Sequence, residues 1–165
     1  MRHGKSDWDA GAADDFSRPL SARGQRDSPR IGQLLAVNGL LPESIVCSPA
    51  VRTNETALLV CTGADISTDR IYHDRRMYLA GVDELLAVIA DNHDRPWPLL
   101  LIGHNPGLED LLLYLVGDAA AHTGSGKIMP TAALAQVELP DDSDRPAAGA
   151  GRLVTLTRPR ELPAD

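Results

Sequence analysis

Three segments hold residues whose types can do chemistry together: Arg2-His3-Gly4 at the front of the chain, Ser48-Pro49-Ala50-Val51-Arg52, and Gly103-His104-Asn105-Pro106. A neutral imidazole attacks phosphorus through one ring nitrogen when the other carries the proton and is held by a hydrogen bond, most simply to a nearby backbone carbonyl. His3 is the candidate for that nucleophile. The charge of a transferring phosphoryl group spreads over its equatorial oxygens. Planar, permanently charged guanidinium groups such as those of Arg2 and Arg52 match it better than lysine ammonium groups. The implied chemistry is phosphoryl transfer to histidine and on to water, for which no metal and no cofactor is required.

The intervening elements must bring these segments together. Leu20 to Asn38 has apolar residues at helical spacing (Ile31, Leu34, Leu35), with Ser21 as a cap, Pro29 near a start or kink and Gly39 at the end. Ser44 to Ser48, closed by Pro49, reads as a buried strand, and Val51 to Val60 returns to helical spacing before Gly63. A short strand is expected at Arg70 to His73, a helix at Val82 to Ala90, a buried strand at Leu99 to Ile102 and a helix at Leu108 to Val116. Ala132 to Leu139 and Arg152 to Thr157 read as an antiparallel edge pair, joined by a solvated connection over Asp141 to Gly151. Alternating strands and helices predict an α/β fold in three layers, α/β/α, around a mainly parallel central sheet. The whole of 1–165 is expected to be one domain, with 158–165 as a flexible tail.

In this arrangement Ser48-Pro49 and Gly103-His104 follow strands, so they lie at the carboxyl ends where open α/β sheets form their ligand crevice. His3 is expected to join them. Arg52 falls in the first turn of a helix, where the macrodipole disfavours a cation by about 0.3–1 kcal/mol but welcomes an anion. A bound phosphate resolves that conflict.

Composition narrows the partners. At 165 residues, 43% hydrophobic and 24% charged, the chain can bury a real core. Its net charge of −7 argues against nucleic acid or an anionic membrane as the main partner, so an anionic substrate needs a locally basic pocket. Cys47 and Cys61 are too few for a disulfide framework and read as buried apolar groups, with a reducing cytoplasm as the expected setting. No stretch approaches the roughly 20 apolar residues of a membrane span. With no heptads and no long apolar stripe, a monomer is expected.

With Arg18-Pro19-Leu20-Ser21-Ala22-Arg23-Gly24, Tyr78-Leu79-Ala80 and Pro130-Thr131-Ala132-Ala133-Leu134-Ala135 added to the first three segments, the ordered set resembles the histidine phosphatase superfamily, which shares the phosphoglycerate mutase-like fold. The likeness is to its SixA-type phosphohistidine phosphatase branch and runs from Arg2 to about Leu139. By that resemblance His3 is the phosphorylated nucleophile, and Arg2, Arg52 and His104 form the phosphate pocket. Arg18, Gly4 and Ser48 are carried over as substrate-binding residues. The substrate implied is a phosphorylated protein bearing phosphohistidine, or else a small phosphorylated molecule; a non-catalytic phosphohistidine-binding module is a more distant alternative.

Two departures from the family pattern matter. Family members carry an apolar strand immediately before the RHG tripeptide, whereas only Met1 precedes Arg2 here, so that first strand is truncated. The expectation is a natural start several residues upstream. Related alcohol-phosphate phosphatases also use a glutamate as general acid, and the corresponding stretch, His73-Asp74-Arg75-Arg76-Met77-Tyr78-Leu79, offers only Asp74, with Glu84 further on. An alkoxide leaving group needs a proton donor worth roughly 10²–10⁴-fold, while an imidazole, protonated near neutral pH, needs less. The missing acid favours a phosphoramidate substrate. In the expected mechanism His104 is protonated and donates to the phosphoryl group.

Other residues read as structural. Arg18 pairs equally well with Asp14 or Asp15; Asp7, Asp9, Asp14 and Asp15 read as a charged surface loop; Trp8 walls the pocket or pins that loop. His73, His93 and His122 have no motif support, and Lys5 and Lys127 either attract the phosphate or a phosphoprotein surface or, as isolated lysines usually are, stand simply solvated.

Overall fold

The computed structural model describes residues 1–117, 127–140 and 144–162. Helix α1 (Ala22–Val37) leads through strand β1 (Ser44–Cys47) to α2 (Val51–Ala64), β2 (Ile71–His73), α3 (Val82–Asp91), β3 (Leu99–Ile102) and α4 (Gly107–Val116). Strands β4 (Leu134–Glu138) and β5 (Arg152–Thr157) follow. β1 is the middle of a parallel sheet ordered β2-β1-β3, with Ile45 opposite both Ile71 and Leu100. β4 and β5 pair antiparallel, their register shifting between Gln136 and Val137.

The strands alternate sides, as extended chains must. Ile45, Cys47, Leu100 and Ile102 pack with Ile31, Leu35, Ala57 and Val60 of α1 and α2. Val46, with Leu99 and Leu101, packs with Leu85, Leu86, Leu108 and Leu111 of α3 and α4. Each face of the sheet thus has its own pair of helices, the expected three layers.

Residues 1–3 form the seam between the two sheets. The Met1 amino group donates to Leu101 O at 2.7 Å, Gly103 donates to Met1 O, and the Arg2 N–H goes across to Ala133 O at 3.0 Å. Arg2 and Gly103 form a parallel bridge, so three residues do the bonding of a short strand. Alongside, the sheets part over an apolar groove of about 590 Å³ lined by Leu99, Leu100, Leu134 and Val137, among others.

Two expectations need correction. α2 does not stop before Gly63 but runs through it to Ala64, because a Cβ at Gly63 would sit 2.0 Å from Pro29 O of α1, and one at Gly32 would sit 2.2 Å from Val60 O. These glycines let the two helices approach at backbone distance. Residues 158–162 are not a free tail: Arg158 and Pro159 are buried, Pro159–Glu161 is a 3-10 turn, and Arg30 donates to Pro159 O and Leu162 O. The connection before β5 is exposed in large part but anchored, with Gly149 and Gly151 donating to Tyr114 O and Leu115 O of α4. Residues 163–165 and 141–143 lie outside the described residues. Among the described residues no helix is long and apolar enough to cross a membrane.

Candidate active site

His3 stands at the end of the seam, its backbone fixed on both sides: its N–H donates to Gly103 O and its carbonyl accepts from Ala132. Its ring Nδ1 is 2.6 Å from Gly4 O. A carbonyl only accepts, so Nδ1 carries the proton and Nε2 keeps its lone pair. Burial, opposed by the Gly4 hydrogen bond and reinforced by His104, Arg52 and Arg2, lowers the His3 pKa to about 3. The imidazole is therefore neutral at physiological pH, in the tautomer a nucleophile needs. Gly4 serves this geometry through its backbone: its N–H donates to Thr56 Oγ1 at 3.0 Å, and a Cβ there would sit 2.7 Å from Ser28 Oγ and 3.2 Å from Gly24 Cα.

His104, on the loop after β3, places its ring centroid 5.1 Å from that of His3. Arg52 Nη2 lies 3.1 Å from His104 Nδ1, and Ser48 Oγ lies 3.0 Å from Nε2. A guanidinium can only donate, so Nδ1 accepts and the Nε2 proton goes to Ser48. His104 is therefore neutral, contrary to the expected protonated donor. Burial first, then the Arg52 charge, pushes its pKa down to about 4. Ser48, fully buried, holds the His104 ring.

Three guanidinium groups converge here. Arg2 Nη1 donates to Met129 O at 2.9 Å. Arg52, from the first turn of α2, donates through Nη1 to the Asp15 carbonyl and through Nη2 to Asp15 Oδ2 at 2.9 Å. Arg18 Nη2 reaches Asp15 Oδ1 at 2.6 Å, and its guanidinium stacks 3.4 Å from the Trp8 ring centroid. That answers two open alternatives: Arg18 pairs with Asp15, and Trp8, itself exposed, packs on Arg18. Arg2 Nε, Arg52 Nε, Arg18 Nε and Arg18 Nη1 are buried with no hydrogen-bond partner among the described residues. Buried donors left unpaired cost about 1–3 kcal/mol each, more when charged, and a multi-oxygen anion satisfies several at once.

Sequence reasoning missed three contributors. Thr56, one turn beyond Arg52 on α2, accepts from Gly4 and donates to Arg52 O; its i+4 spacing from Arg52 was the available signal. Tyr78, noted only as part of a motif, donates to Asp15 Oδ2 at 3.0 Å and sets its ring edge-on to His104. Asp15, read as surface charge, touches Arg18, Arg52 and Tyr78.

The remaining polar residues are engaged elsewhere or exposed. The Asp74 carboxylate accepts from Arg76 Nη2 at 2.6 Å and caps the 3-10 turn Arg75–Met77, and Glu84 caps α3 by accepting from Gly81. His73 Nε2 lies 2.8 Å from Asn54 Oδ1, and His93 Nδ1 lies 3.3 Å from Asp144. Asp7 accepts from Asp9 N–H and Asp14 from Ser17, while Lys5 and Lys127 are exposed. His122 lies outside the described residues. Among the described residues no three His, Cys, Asp or Glu side chains are grouped to hold a metal ion.

Acid sensitivity follows from the two neutral histidines. Both take up protons near 6.5 in the unfolded chain but only near 3 and 4 in the fold, so between those limits the unfolded state binds more protons and stability rises with pH. Acidification from neutrality is expected to lower the urea midpoint progressively from about pH 6.5 downward. His104→Gln, which cannot be protonated, flattens that slope.

The comparisons with known proteins bear on family and fold. The family model of the histidine phosphatase superfamily (branch 1) matches residues 1–77. An uncharacterised protein of Mycobacterium tuberculosis is 30% identical over 164 residues, 97% of this chain and 100% of that one. A chloroplastic protein of Arabidopsis thaliana is 31% identical over 125 residues, 71% of this chain; the match spans 57% of that relative's length. Among solved structures, the Agrobacterium tumefaciens protein assigned as the phosphohistidine phosphatase SixA is 27% identical at a TM-score of 0.77, over 96% of this chain and 94% of the other. The protein histidine phosphatase SixA in complex with tungstate superposes at 0.78 with 23% identity, over 99% of this chain and 97% of the other. A mycobacterial glucosyl-3-phosphoglycerate phosphatase shares the fold at 0.66 with 17% identity, over 93% and 95%.

The chain belongs to the histidine phosphatase superfamily. Within it, the chain falls in the SixA-type branch.

Proposed function

We propose that the protein is a metal-independent phosphatase that works through a covalent phosphohistidine intermediate and hydrolyses phosphohistidine carried by another protein. The observation that carries this reading is the state of His3: Nδ1–H is held by Gly4 O, and Nε2 is unprotonated beside guanidinium groups with unpaired N–H donors. In the first step His3 Nε2 attacks phosphorus, the bond from phosphorus to the substrate nitrogen breaks, and Arg2 and Arg52 take the equatorial oxygens. In the second, water adds to phosphorus and the bond to His3 breaks, releasing inorganic phosphate.

The placement of the two acids singled out in the sequence supports this substrate class. Asp74 and Glu84 are turned to Arg76 and to the start of α3, so neither is set to protonate an alkoxide. A phosphoramidate leaving group needs no such donor. The SixA protein from Agrobacterium tumefaciens, assigned as a phosphohistidine phosphatase, points the same way.

The test is phosphate release from a phosphohistidine-bearing carrier protein, with serine phosphate and p-nitrophenyl phosphate alongside, in magnesium-free buffer with chelator. Rapid release from the carrier, with little from serine phosphate, is expected. Preference for the ester would move the reading to a small-molecule phosphatase, and tight phosphate binding without turnover would leave only a binding module.

A further inference from the structure

The loop that reads in the sequence as acidic surface delivers one carboxylate to the site. Asp15 Oδ2 lies 2.9 Å from Arg52 Nη2 and 3.0 Å from the Tyr78 hydroxyl, and Oδ1 lies 2.6 Å from Arg18 Nη2. Its side chain remains 45% exposed while His3 is 7% exposed, so Asp15 stands at the mouth of the pocket and His3 at its floor. In-line attack from His3 drives the leaving group away from the floor and toward the mouth. Among the described residues, Asp15 is the carboxylate paired with Arg18 and Arg52 there.

We propose that Asp15 selects the leaving group: its carboxylate accepts a hydrogen bond from the ring N–H of a departing imidazole and so holds the proton without which that ring cannot leave. On the phosphohistidine reading above, the chemistry balances as follows. When the ring nitrogen not bonded to phosphorus is protonated, cleavage moves the P–N electron pair onto the leaving nitrogen. A neutral imidazole then departs with the proton it already carried. When that nitrogen is bare, the ring must leave as imidazolate, a far stronger base. Asp15 transfers nothing; an ionised carboxylate beside the ring favours its cationic form. Beside an alkoxide the same charge repels, so one residue both assists P–N cleavage and disfavours P–O cleavage.

The surroundings suit that role. Burial works to raise the Asp15 pKa, but hydrogen bonds and charge from Tyr78, Arg52 and Arg18 outweigh it and hold the carboxyl below its ordinary value. The groups facing it are Arg52 from α2, with neutral His104 behind; Arg18 and Asp14 from its own loop; and the Tyr78 hydroxyl. When a phosphoryl group takes Arg52, Arg18 still holds Asp15 Oδ1, and Trp8 holds Arg18. Arg18 is thus a positioning residue for the carboxylate.

The experiment compares wild type, Asp15→Asn and Asp15→Glu on a histidine-phosphorylated carrier and on p-nitrophenyl phosphate, whose phenolate leaves without a proton. In Asp15→Asn the ratio of kcat/KM on the carrier to that on p-nitrophenyl phosphate is expected to fall by about 10²-fold. The deficit should be larger at about pH 8.5 than at about pH 6, where the free ring is largely protonated unaided. Asp15→Glu restores part of the ratio. An unchanged ratio, whether both activities fall, rise or hold, overturns the inference, because a carboxylate that merely blocks or braces the arginines affects both substrates alike. A wild type that leaves the carrier untouched but cleaves the ester overturns the phosphohistidine reading itself, and this inference with it.

Discussion

His3→Ala protein releases no phosphate above background: turnover is expected to fall by about 10⁴-fold or more, since no second group can take over the covalent step. The nearest imidazole among the described residues, His104, has both nitrogens committed, Nδ1 to Arg52 and Nε2 to Ser48. The variant should fold, because His3→Ala removes one ring hydrogen bond, worth about 1 kcal/mol, together with a buried imidazole that acid would otherwise charge. Two measurements complete the case. Wild type given phosphorylated carrier and quenched in alkali should retain phosphate on His3, whereas His3→Ala should retain none while still binding inorganic phosphate through its arginines. Normal phosphate release by folded His3→Ala protein would rule out the covalent route.

Arg52→Ala is expected to lower kcat/KM by about 10³-fold, with a weaker competitive effect of inorganic phosphate. The size reflects how much one guanidinium does. It donates to His104 Nδ1, to the Asp15 carboxylate and to the Asp15 carbonyl, and it keeps a buried Nε with no partner among the described residues. Removing it takes away charge that grows in importance as the phosphoryl group transfers, and it also frees His104 and the Asp15 loop. Arg52→Lys should recover little, because a single ammonium cannot span the His104 ring and both Asp15 oxygens while presenting a further donor to phosphate. A kcat within tenfold of wild type in Arg52→Lys would show that charge alone matters at this position. Folding should survive the change, since the partner Asp15 is half-exposed and keeps Arg18 and Tyr78.

Much of the fold was legible because burial and helix period leave a direct trace in residue order. Leu99–Ile102 could only be a buried strand, and Val82–Ala90 only a helix with Leu85, Leu86 and Ile89 inward, which the fold extends by one residue to Asp91. The positions of Arg2, His3, Arg52 and His104 followed from motifs at strand ends, and the structure brings those four together. Less legible were features that depend on what packs opposite. Gly63 looked like a helix end because glycine usually is one; it lies inside α2 because Pro29 of α1 leaves no room for a side chain. The stretch after Thr157 looked like a tail because it has no apolar period, yet Arg30 and the burial of Pro159 tie it down.

The sequence by itself determined which groups are available: a histidine able to be phosphorylated, guanidinium groups able to receive phosphate, and alternating elements that deliver them to the carboxyl ends of a parallel sheet. Only the tertiary structure decided their states. His3 holds its proton on Nδ1 because Gly4 O is 2.6 Å away, and His104 is neutral because a guanidinium that can only donate faces its Nδ1. Asp15 changed from a surface charge to a pocket residue because Arg18, Arg52 and Tyr78, from three separate parts of the chain, surround it. Protonation and hydrogen-bond direction depend on how the backbone turns a neighbour such as Gly4 O toward a ring, on partners distant in sequence such as Arg52 at His104, and on exclusion of water, none of which is written in the order of residues along the chain.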